Sequence, residues 1–308
     1  MHIENLPYSG WQNNLFLRND HAEVVITLDV GPRIISYRTP GGANVFKEYP
    51  EQIGTTGEAE WKIRGGHRLW SAPEDDACYA LDNGPIVHTS SATGATFETP
   101  PSGTEGRAAL RRRLTVSLDA RSNRVSLRHE LINEGSAPVE AASWALSVMA
   151  PGGLELIPLP AITTHPEGLL PRRVIVPWPY TDMTDPRLRF GWRFITVRQT
   201  ADAGPTKIGL LHRERWVGYL NGTSLFVKTF EHEEGATYPD LGCNFETYTD
   251  SNMLEIESLG ALRTLAPGES TAHTETWHLL ENVPQPSSLK EEELAAWIAP
   301  LLAEIGVQ

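Results

Sequence analysis

Cysteine is scarce in this chain of 308 residues, which contains only Cys78 and Cys243. Two cysteines so far apart, with no C-x-x-C pair, do not make a disulfide framework, and we expect a reducing compartment. The first residues, Met1–Leu6, lack the basic start and apolar stretch of a signal peptide. No apolar run approaches the roughly 20 residues that a membrane-spanning helix needs. The expectation is therefore a cytoplasmic protein.

Positive charge is also scarce, because 26 Lys and Arg residues stand against 39 Asp and Glu residues, giving a formal net charge of −13. A chain this acidic is not drawn to phosphate backbones or anionic membrane surfaces without a local basic patch. The basic run Arg111–Arg113 lies inside an alternating segment and is typical of the start of a strand. We therefore expect neither nucleic acid nor membrane among the partners.

Sequence motifs for bound cofactors are lacking. There is no P-loop, no G-x-G-x-x-G and no G-x-S-x-G, so nucleotide binding and α/β-hydrolase chemistry find no support. The H-E-x-x-H and C-x-x-C spacings of strong metal sites are missing as well. We predict no cofactor and no metal. A metal site built from residues far apart in the sequence would leave no such motif and stays open.

Helical periodicity is confined to the end of the chain, and 23 prolines scattered through the sequence argue against long helices elsewhere. The segment from Ser288 through Ala303 predicts a helix with Ser287 or Ser288 as N-cap and acidic residues in the first turns. Its apolar stripe consists of Leu294, Trp297, Ile298 and Leu301.

Period-two alternation is the dominant pattern of the chain. Residues 114–118 and 125–131 alternate on either side of a polar turn and predict a hairpin. Other strands are predicted at Glu23–Val30, Ile34–Tyr37, Phe194–Gln199, Lys207–Leu211, Val217–Leu220, Ser224–Thr229, Met253–Glu257 and Thr274–Leu279. Many short strands and one terminal helix favour an all-β, mainly antiparallel sandwich, which we predict to be a single domain over residues 1–308. Two irregular stretches, Tyr49–Pro101 and Pro151–Trp192, are candidates for functional loops.

The first candidate site is a glycine-rich bend that concentrates His, Arg and Trp. His67 and Arg68 follow two glycines and offer an acid/base group and a fixed fork of donors. Trp61 and Trp70 flank them, and an indole face can stack on the apolar face of a sugar ring. The pattern favours a sugar site over the simpler interpretation of a turn with an Arg68–Glu74 surface ion pair and two core tryptophans.

The second candidate site is acidic. If Met253–Glu257 is a strand, Glu255 and Glu257 point to one face while Leu254 and Ile256 point to the other. Neighbouring Glu246 could join that face, and mutual repulsion would raise the pKa of one carboxyl group and suit it to act as a base. The pattern fits an ordinary solvated face equally well. His212, His232 and Lys228 are further candidates, although each alone is more often a structural residue.

The order of these parts resembles the galactose-mutarotase-like (aldose 1-epimerase-like) superfamily, in branches known only as domains of unknown function. The resemblance rests on Gly31–Tyr37, on Gly66–Trp70 and on Leu254–Ser258, and it extends over nearly the whole chain. It implies a twisted supersandwich of two or three sheets with a sugar groove.

The resemblance also implies residue roles. In the epimerases a late glutamate removes the proton of the anomeric hydroxyl and a histidine protonates the ring oxygen. By position Glu257 would be the base, with Glu255 as the fallback, while His67 and Arg68 would hold hydroxyls. The stretch that corresponds to the histidine-bearing strand, Ala142–Met149, has no histidine. The acid would then be His67, or else His212 or His232, or the protein has no such acid.

Three functions follow for a protein whose partner is a carbohydrate, and a homodimer is left open. The first is an aldose 1-epimerase-like isomerase. The second is a sugar-binding protein without turnover, whose groove is lined by Trp61, Trp70 and Arg68. The third is a glycoside-cleaving enzyme that uses Glu246 and Glu257. Glu246, Glu255, His212 and Lys228 complete the set of predicted substrate-binding residues.

Overall fold

The fold is described from a computed structural model, over residues 1–101 and 109–307. In chain order its strands are β1 (His2–Tyr8), β2 (Trp11–Arg18), β3 (Glu23–Thr27), β4 (Ile34–Arg38), β5 (Gly66–Ala72), β6 (Val87–Ser90), β7 (Gly94–Glu98), β8 (Leu110–Leu118), β9 (Val125–Asn133), β10 (Val139–Met149), β11 (Leu154–Pro158), β12 (Ile175–Pro177), β13 (Leu188–Phe190), β14 (Phe194–Arg198), β15 (Thr206–Leu210), β16 (Trp216–Asn221), β17 (Ser224–Phe230), β18 (Phe245–Thr249), β19 (Leu254–Leu259), β20 (Arg263–Leu265) and β21 (Ser270–Leu280). A 3₁₀ turn lies at Asp76–Tyr79, a short helical turn at Pro239–Gly242 and the C-terminal helix at Glu291–Glu304.

These strands form two antiparallel sheets. The first sheet has the order β1-β2-β3-β4-β5-β10-β19-β18-β15-β12, and β20 pairs with β10 beside that path. The second sheet has the order β13-β14-β11-β16-β17-β21-β9-β8-β7-β6. In the first sheet β10 therefore lies between β5, from the first quarter of the chain, and β19, from the last. The predicted all-β antiparallel sandwich is confirmed.

Alternating apolar residues create the core between the sheets. In the β8–β9 hairpin Leu114, Val116, Leu118, Val125 and Leu127 are buried, and each belongs to the main apolar cluster. That cluster also contains residues of the first sheet, which shows that the two inner faces pack on one another. The predicted hairpin is confirmed, and Arg111–Arg113 lie on its first strand as expected.

The C-terminal helix covers the outer face of the second sheet. Leu294, Ile298 and Leu302 are buried in a cluster with apolar residues of β11, β14, β16 and β17. The predicted N-cap is wrong, because Lys290 occupies that position while the Ser287 and Ser288 hydroxyls donate to Glu293. Within the described part of the chain, no helix has the length and apolar character needed to cross a membrane.

The two stretches predicted to be irregular contain strands, and this is a correction. Tyr49–Pro101 includes β5, β6 and β7, and Pro151–Trp192 includes β11, β12 and β13. β5 shows no alternation of polar and apolar residues, because six of its seven residues are buried. The sequence pattern therefore does not indicate which of its faces is exposed to solvent. The glycine-rich bend is thus the entrance to a central strand of the first sheet.

Two glycines make that entrance sterically feasible. Gly65 and Gly66 have φ angles of 95° and 69°. A Cβ atom on Gly65 would lie 1.9 Å from the carbonyl oxygen of Lys47, and one on Gly66 would lie 2.4 Å from that of Ile34. Only glycine meets both demands, and it lets β5 pass close to its neighbours.

Candidate functional site

A pocket of about 260 Å³ lies on the outer face of the first sheet, where β5, β10, β19, β18 and β15 run side by side. Its lining residues are Trp61, Ile63, Arg68, Trp70, Glu74, Tyr79, Trp144, Leu146, Tyr180, Lys207, Tyr248, Met253, Glu255 and Glu257. The volume is at the small end for ligand pockets and suits a ligand no larger than a monosaccharide.

Strand register explains why these side chains meet. Leu146 lies opposite Arg68 on one side and opposite Glu257 on the other, and Glu257 in turn lies opposite Glu246. Side chains two residues apart on a strand share a face, so Arg68 and Glu257 each bring a second lining residue from their own strand. Leu254 and Ile256 point into the core between the sheets, as the alternation predicts.

One wall of the pocket is aromatic. The ring centroids of Trp61 and Trp70 are 5.2 Å apart, and those of Trp70 and Trp144 are 5.5 Å apart. Tyr79 closes the cluster at 5.0 Å from Trp70. Such a wall offers apolar ring faces to the C–H side of a sugar, while polar groups at its edge can bind the hydroxyls.

Arg68 lies over this aromatic wall. Its guanidinium carbon lies 4.3 Å from the Trp70 ring centre, and its Nη1 donates to Glu255 Oε1 at 2.9 Å. The alternative ion pair with Glu74 does not form, because Glu74 instead accepts a hydrogen bond from the Tyr79 hydroxyl. Buried Arg68 Nε has no partner within the described structure, which leaves one donor unused.

Glu257 is the carboxylate most suited to proton transfer. Its Oε2 accepts from Trp144 Nε1 and from Lys207 Nζ, both at 2.9 Å. Its Oε1 is buried and has no partner among the described residues. Burial raises the pKa of Glu257 above the ordinary carboxyl value, and Lys207 partly opposes that shift. A carboxylate with a raised pKa and one unused oxygen is a chemically reasonable general base.

Lys207 links Glu257 to a second carboxylate. Its Nζ lies 2.7 Å from Glu246 Oε2, and it lies 4.8 Å from the ring centres of both Trp144 and Trp178. Burial alone would lower the pKa of Lys207, but the carboxylates of Glu257 and Glu246 together raise it. Burial also raises the pKa of Glu246, which lies opposite Glu257 on the neighbouring strand and does not line the pocket.

Three predicted site residues lie elsewhere, and these placements correct the sequence analysis. His67 alternates with Arg68, so it faces the space between the sheets, where its Nδ1 lies 2.9 Å from Ser147 Oγ. Buried His212 bonds through Nε2 to the carbonyl oxygen of Trp216 at 2.9 Å. Lys228 is fully buried between the sheets and pairs with Glu275 at 2.8 Å. The geometry gives none of the three access to the pocket.

A group of potential metal ligands occurs in that same space between the sheets. Ligand atoms of His67, His129 and Glu275 lie within 4.8 Å of one another. Both oxygens of Glu275 already have partners, however. Its Oε1 lies 2.8 Å from the Lys228 ammonium, and its Oε2 accepts a hydrogen bond from Trp277 Nε1 at 2.9 Å. The Nε2 atoms of His67 and His129 are 2.7 Å apart, which is a hydrogen-bonding distance. We therefore treat the group as a hydrogen-bonded network.

Several lining residues were not anticipated from the sequence. Trp144 and Leu146 sit two apart on β10, and Lys207 sits on β15 beside the acidic strands. Both strand segments were visible as alternation, but their positions next to β19 follow from sheet order, which the sequence does not reveal. Trp144 carried one signal, since it lies in the stretch aligned with the histidine-bearing strand of the resemblance.

Other cavities are present, with volumes of about 280, 590 and 350 Å³. The largest is a surface groove in which Arg187 is already paired with Asp185 at 2.7 Å. The smaller pocket on the first sheet is the better candidate because it gathers two buried cations, several carboxylates and an aromatic wall.

No family model and no curated protein matches the sequence. Solved structures do match. A galactose mutarotase-like protein from Lactobacillus casei has a TM-score of 0.58 at 9% identity, covering 87% of this chain and 100% of that chain. A galactose mutarotase related enzyme from Lactobacillus acidophilus has a TM-score of 0.57 at 12% identity, covering 87% and 98%.

A TPR-domain containing protein from Parabacteroides distasonis has a TM-score of 0.57 at 14% identity. The match covers 90% of this chain, which spans about half (49%) of the length of that protein. With two antiparallel sheets and one terminal helix, the chain has the galactose mutarotase-like fold. Fold alone does not assign a reaction, so the function has to be argued from the pocket.

Proposed function

We propose that the pocket on the first sheet binds the ring of an uncharged monosaccharide and that Glu257 acts on it as a general base, interconverting its anomers. The observation that carries this proposal is the Glu257 carboxylate, with one oxygen fixed by Trp144 and Lys207 and the other unpaired beside an aromatic wall. Opening of a sugar ring begins when a base removes the anomeric hydroxyl proton, and the unpaired oxygen suits that task.

An uncharged sugar is proposed because the cations of the wall are already paired. Arg68 pairs with Glu255, and Lys207 pairs with both Glu257 and Glu246. A phosphate brought to either cation would meet these carboxylates at close range, and like charges repel. A sugar 6-phosphate should therefore bind at least about tenfold more weakly than its parent sugar, which corresponds to about 1.4 kcal/mol.

Cleavage of a glycosidic bond is not favoured by the geometry. The two carboxylates proposed for it, Glu246 and Glu257, contact the same Lys207 nitrogen from neighbouring strands. Glycosidases need two carboxyl groups that flank the scissile bond. Sugar binding without turnover remains the second candidate, because no histidine lines the pocket within the described ranges.

The test is anomer exchange measured by NMR saturation transfer on a panel of hexoses and pentoses, together with sugar binding measured by tryptophan fluorescence. We expect the wild-type protein to speed exchange for at least one sugar. Glu257→Gln should lower that rate by about 100-fold or more, the usual contribution of a general base, and should keep the dissociation constant within tenfold. Glu292→Gln, on the exposed face of the C-terminal helix, is the matched control and should behave as wild type.

Each result has a distinct meaning. Binding without faster exchange would support the sugar-binding protein and refute the isomerase. Full exchange activity in Glu257→Gln would refute the role of Glu257. No binding of any sugar on the panel would refute the pocket assignment itself.

A further inference from the structure

Lys207 has one hydrogen-bond donor left over for a ligand. An ammonium group carries three N–H donors and no acceptor. One of them donates to Glu257 Oε2 at 2.9 Å, and the ammonium also forms an ion pair with Glu246 Oε2 at 2.7 Å. Trp144 and Trp178 flank the group at 4.8 Å. Lys207 also lines the pocket, so an N–H that is not bonded to Glu257 can reach a ligand there.

Anomer interconversion requires an acid as well as a base, since the ring oxygen must gain a proton when the C1–O5 bond breaks. Among the described lining residues, the groups able to donate a proton at neutral pH are few. Arg68 does not release its proton in proteins and is paired with Glu255. Glu74 is engaged by the Tyr79 hydroxyl. The hydroxyls of Tyr79 and Tyr248 donate to Glu74 and Asp250. Lys207 is the remaining cation, and unlike the Tyr180 hydroxyl it directly contacts the proposed base Glu257. The Glu257 carboxylate helps to raise the pKa of Lys207, and it loses that effect when it takes up the proton of O1.

We propose that Lys207 is the proton donor to the ring oxygen and takes the place of the histidine that this pocket lacks; this inference rests on the proposed function. The step balances without a co-reactant. Glu257 takes the proton from O1, the C1–O5 bond breaks, C1=O1 becomes a carbonyl, and O5 takes a proton from Lys207 Nζ. At this stage Glu257 is protonated and Lys207 is a neutral amine, so each group is ready for the reverse proton transfer. Rotation about C1–C2 and the reverse sequence give the other anomer.

Glu246 is a positioning residue in this scheme. Its carboxyl group is 1% exposed, lies 2.7 Å from Lys207 Nζ and does not line the pocket. Its negative charge holds the ammonium beside Glu257. Because it does not line the pocket, Glu246 acts through Lys207 and does not touch the sugar.

The test compares three replacements of Lys207 by exchange rate and sugar affinity. Lys207→Met should lower anomer exchange by about 100-fold or more, the usual contribution of a general acid, with the dissociation constant within tenfold of wild type. Lys207→Arg keeps the charge beside Glu257 but does not release a proton, so it should not restore exchange. Lys207→Cys treated with 2-bromoethylamine regains an amine at nearly the same place and should recover at least a tenth of the wild-type rate.

Controls separate chemistry from damage. Lys290→Met, at the exposed start of the C-terminal helix, should keep full activity. Wild-type protein treated with the same reagent should be unchanged, because Cys78 and Cys243 are buried. If Lys207→Arg does not fold, the aminoethylated variant still decides the question, because only an amine restores the donor.

Two results overturn the assignment while leaving the proposed function intact. One is Lys207→Met exchanging anomers within tenfold of wild type. The other is Lys207→Arg matching wild type, which would mean that the positive charge only holds Glu257 in position. A wild-type protein that binds sugar but does not speed exchange refutes the donor role together with the proposed isomerase.

Discussion

At the scale of single residues, Arg68 combines two interactions that need a flat guanidinium. Its guanidinium carbon lies 4.3 Å from the Trp70 ring centre, and its Nη1 donates to Glu255. Lysine carries the same charge but has a compact head that neither stacks flat nor offers a rigid fork of donors. Arg68 is also buried, so any loss of these contacts is poorly compensated by water.

We predict that Arg68→Lys weakens binding of the best sugar from the panel by about tenfold or more, or about 1.4 kcal/mol. The control is Arg113→Lys, whose arginine pairs with Glu98 and Glu130 on the second sheet and does not line the pocket. Fluorescence titration should leave the control unchanged. Equal affinities for Arg68→Lys and wild type would contradict a role of the guanidinium in ligand binding.

The sequence predicts residues of the pocket only where the pattern along one strand is sufficient. Alternation alone places Glu255 and Glu257 on one face, and the glycine-rich bend pointed to Arg68, Trp61 and Trp70. Lys207 and Trp144 escaped notice because their importance comes from lateral neighbours on other strands. His67 has suitable chemistry but does not line the pocket. It is the direct neighbour of Arg68 on the strand, and consecutive side chains point to opposite faces of the sheet.

At the scale of elements, the entrance to β5 depends on backbone conformation as well as on space. Gly66 and Gly57 share similar φ angles of 69° and 74°. A Cβ on Gly66 would collide with the Ile34 carbonyl oxygen at 2.4 Å, whereas one on Gly57 would meet nothing within 4 Å. The pair therefore separates the cost of left-handed backbone strain from the cost of a steric collision.

We predict that Gly57→Ala destabilises the protein by about 1–2 kcal/mol through strain alone. Gly66→Ala should cost about 1–3 kcal/mol more, because overpacking adds to the same strain. Urea unfolding followed by tryptophan fluorescence measures both. Equal losses for the two variants would mean that β5 shifts freely at its entrance, contrary to the close packing seen here.

The hairpin β8–β9 could be predicted because one of its faces is buried and the other faces solvent. Apolar and polar residues therefore alternate along both strands. β5 and β19 are buried on both faces, the inner one by the sheet-to-sheet core and the outer one by the pocket wall. In β19 the charged residues still mark a face because they alternate with Leu and Ile. In β5 no such contrast exists.

At the scale of the whole molecule, a polar network lies in the core between the two sheets. The carbonyl oxygen of His273 only accepts, so His129 Nδ1, at 3.3 Å, must donate to it. His129 Nε2 then accepts from His67 Nε2 at 2.7 Å, and His67 Nδ1 accepts from the Ser147 hydroxyl at 2.9 Å. Each of these ring nitrogens thereby has a partner when both imidazoles are neutral.

Neutral histidines in this network make stability depend on pH. Burial lowers the pKa of His129 and of His273 to about 3, and burial and His129 lower that of His67 well below its ordinary value. The unfolded chain has ordinary histidine values of about 6.5. Between about pH 6.5 and pH 3 the unfolded chain therefore binds protons that the folded chain excludes. The network's contribution to stability is fully present above about pH 6.5 and is lost as the pH falls through that window.

We predict that His273→Gln makes the fall in unfolding free energy below pH 6.5 shallower by about 1.4 kcal/mol per pH unit, the contribution of one histidine. Glutamine keeps an N–H donor for Ser258, which lies 2.6 Å from His273 Nε2, but it does not titrate. The measurement is urea unfolding at intervals from pH 4 to pH 7.5, and His21→Gln, at an exposed position, is the control. Taking the difference between each variant and wild type cancels the contribution of the many carboxylates that titrate in the same range.

A His273→Gln curve parallel to that of wild type would mean that His273 takes up its proton equally in the folded and unfolded chains. That result would remove the neutral network as a source of acid sensitivity.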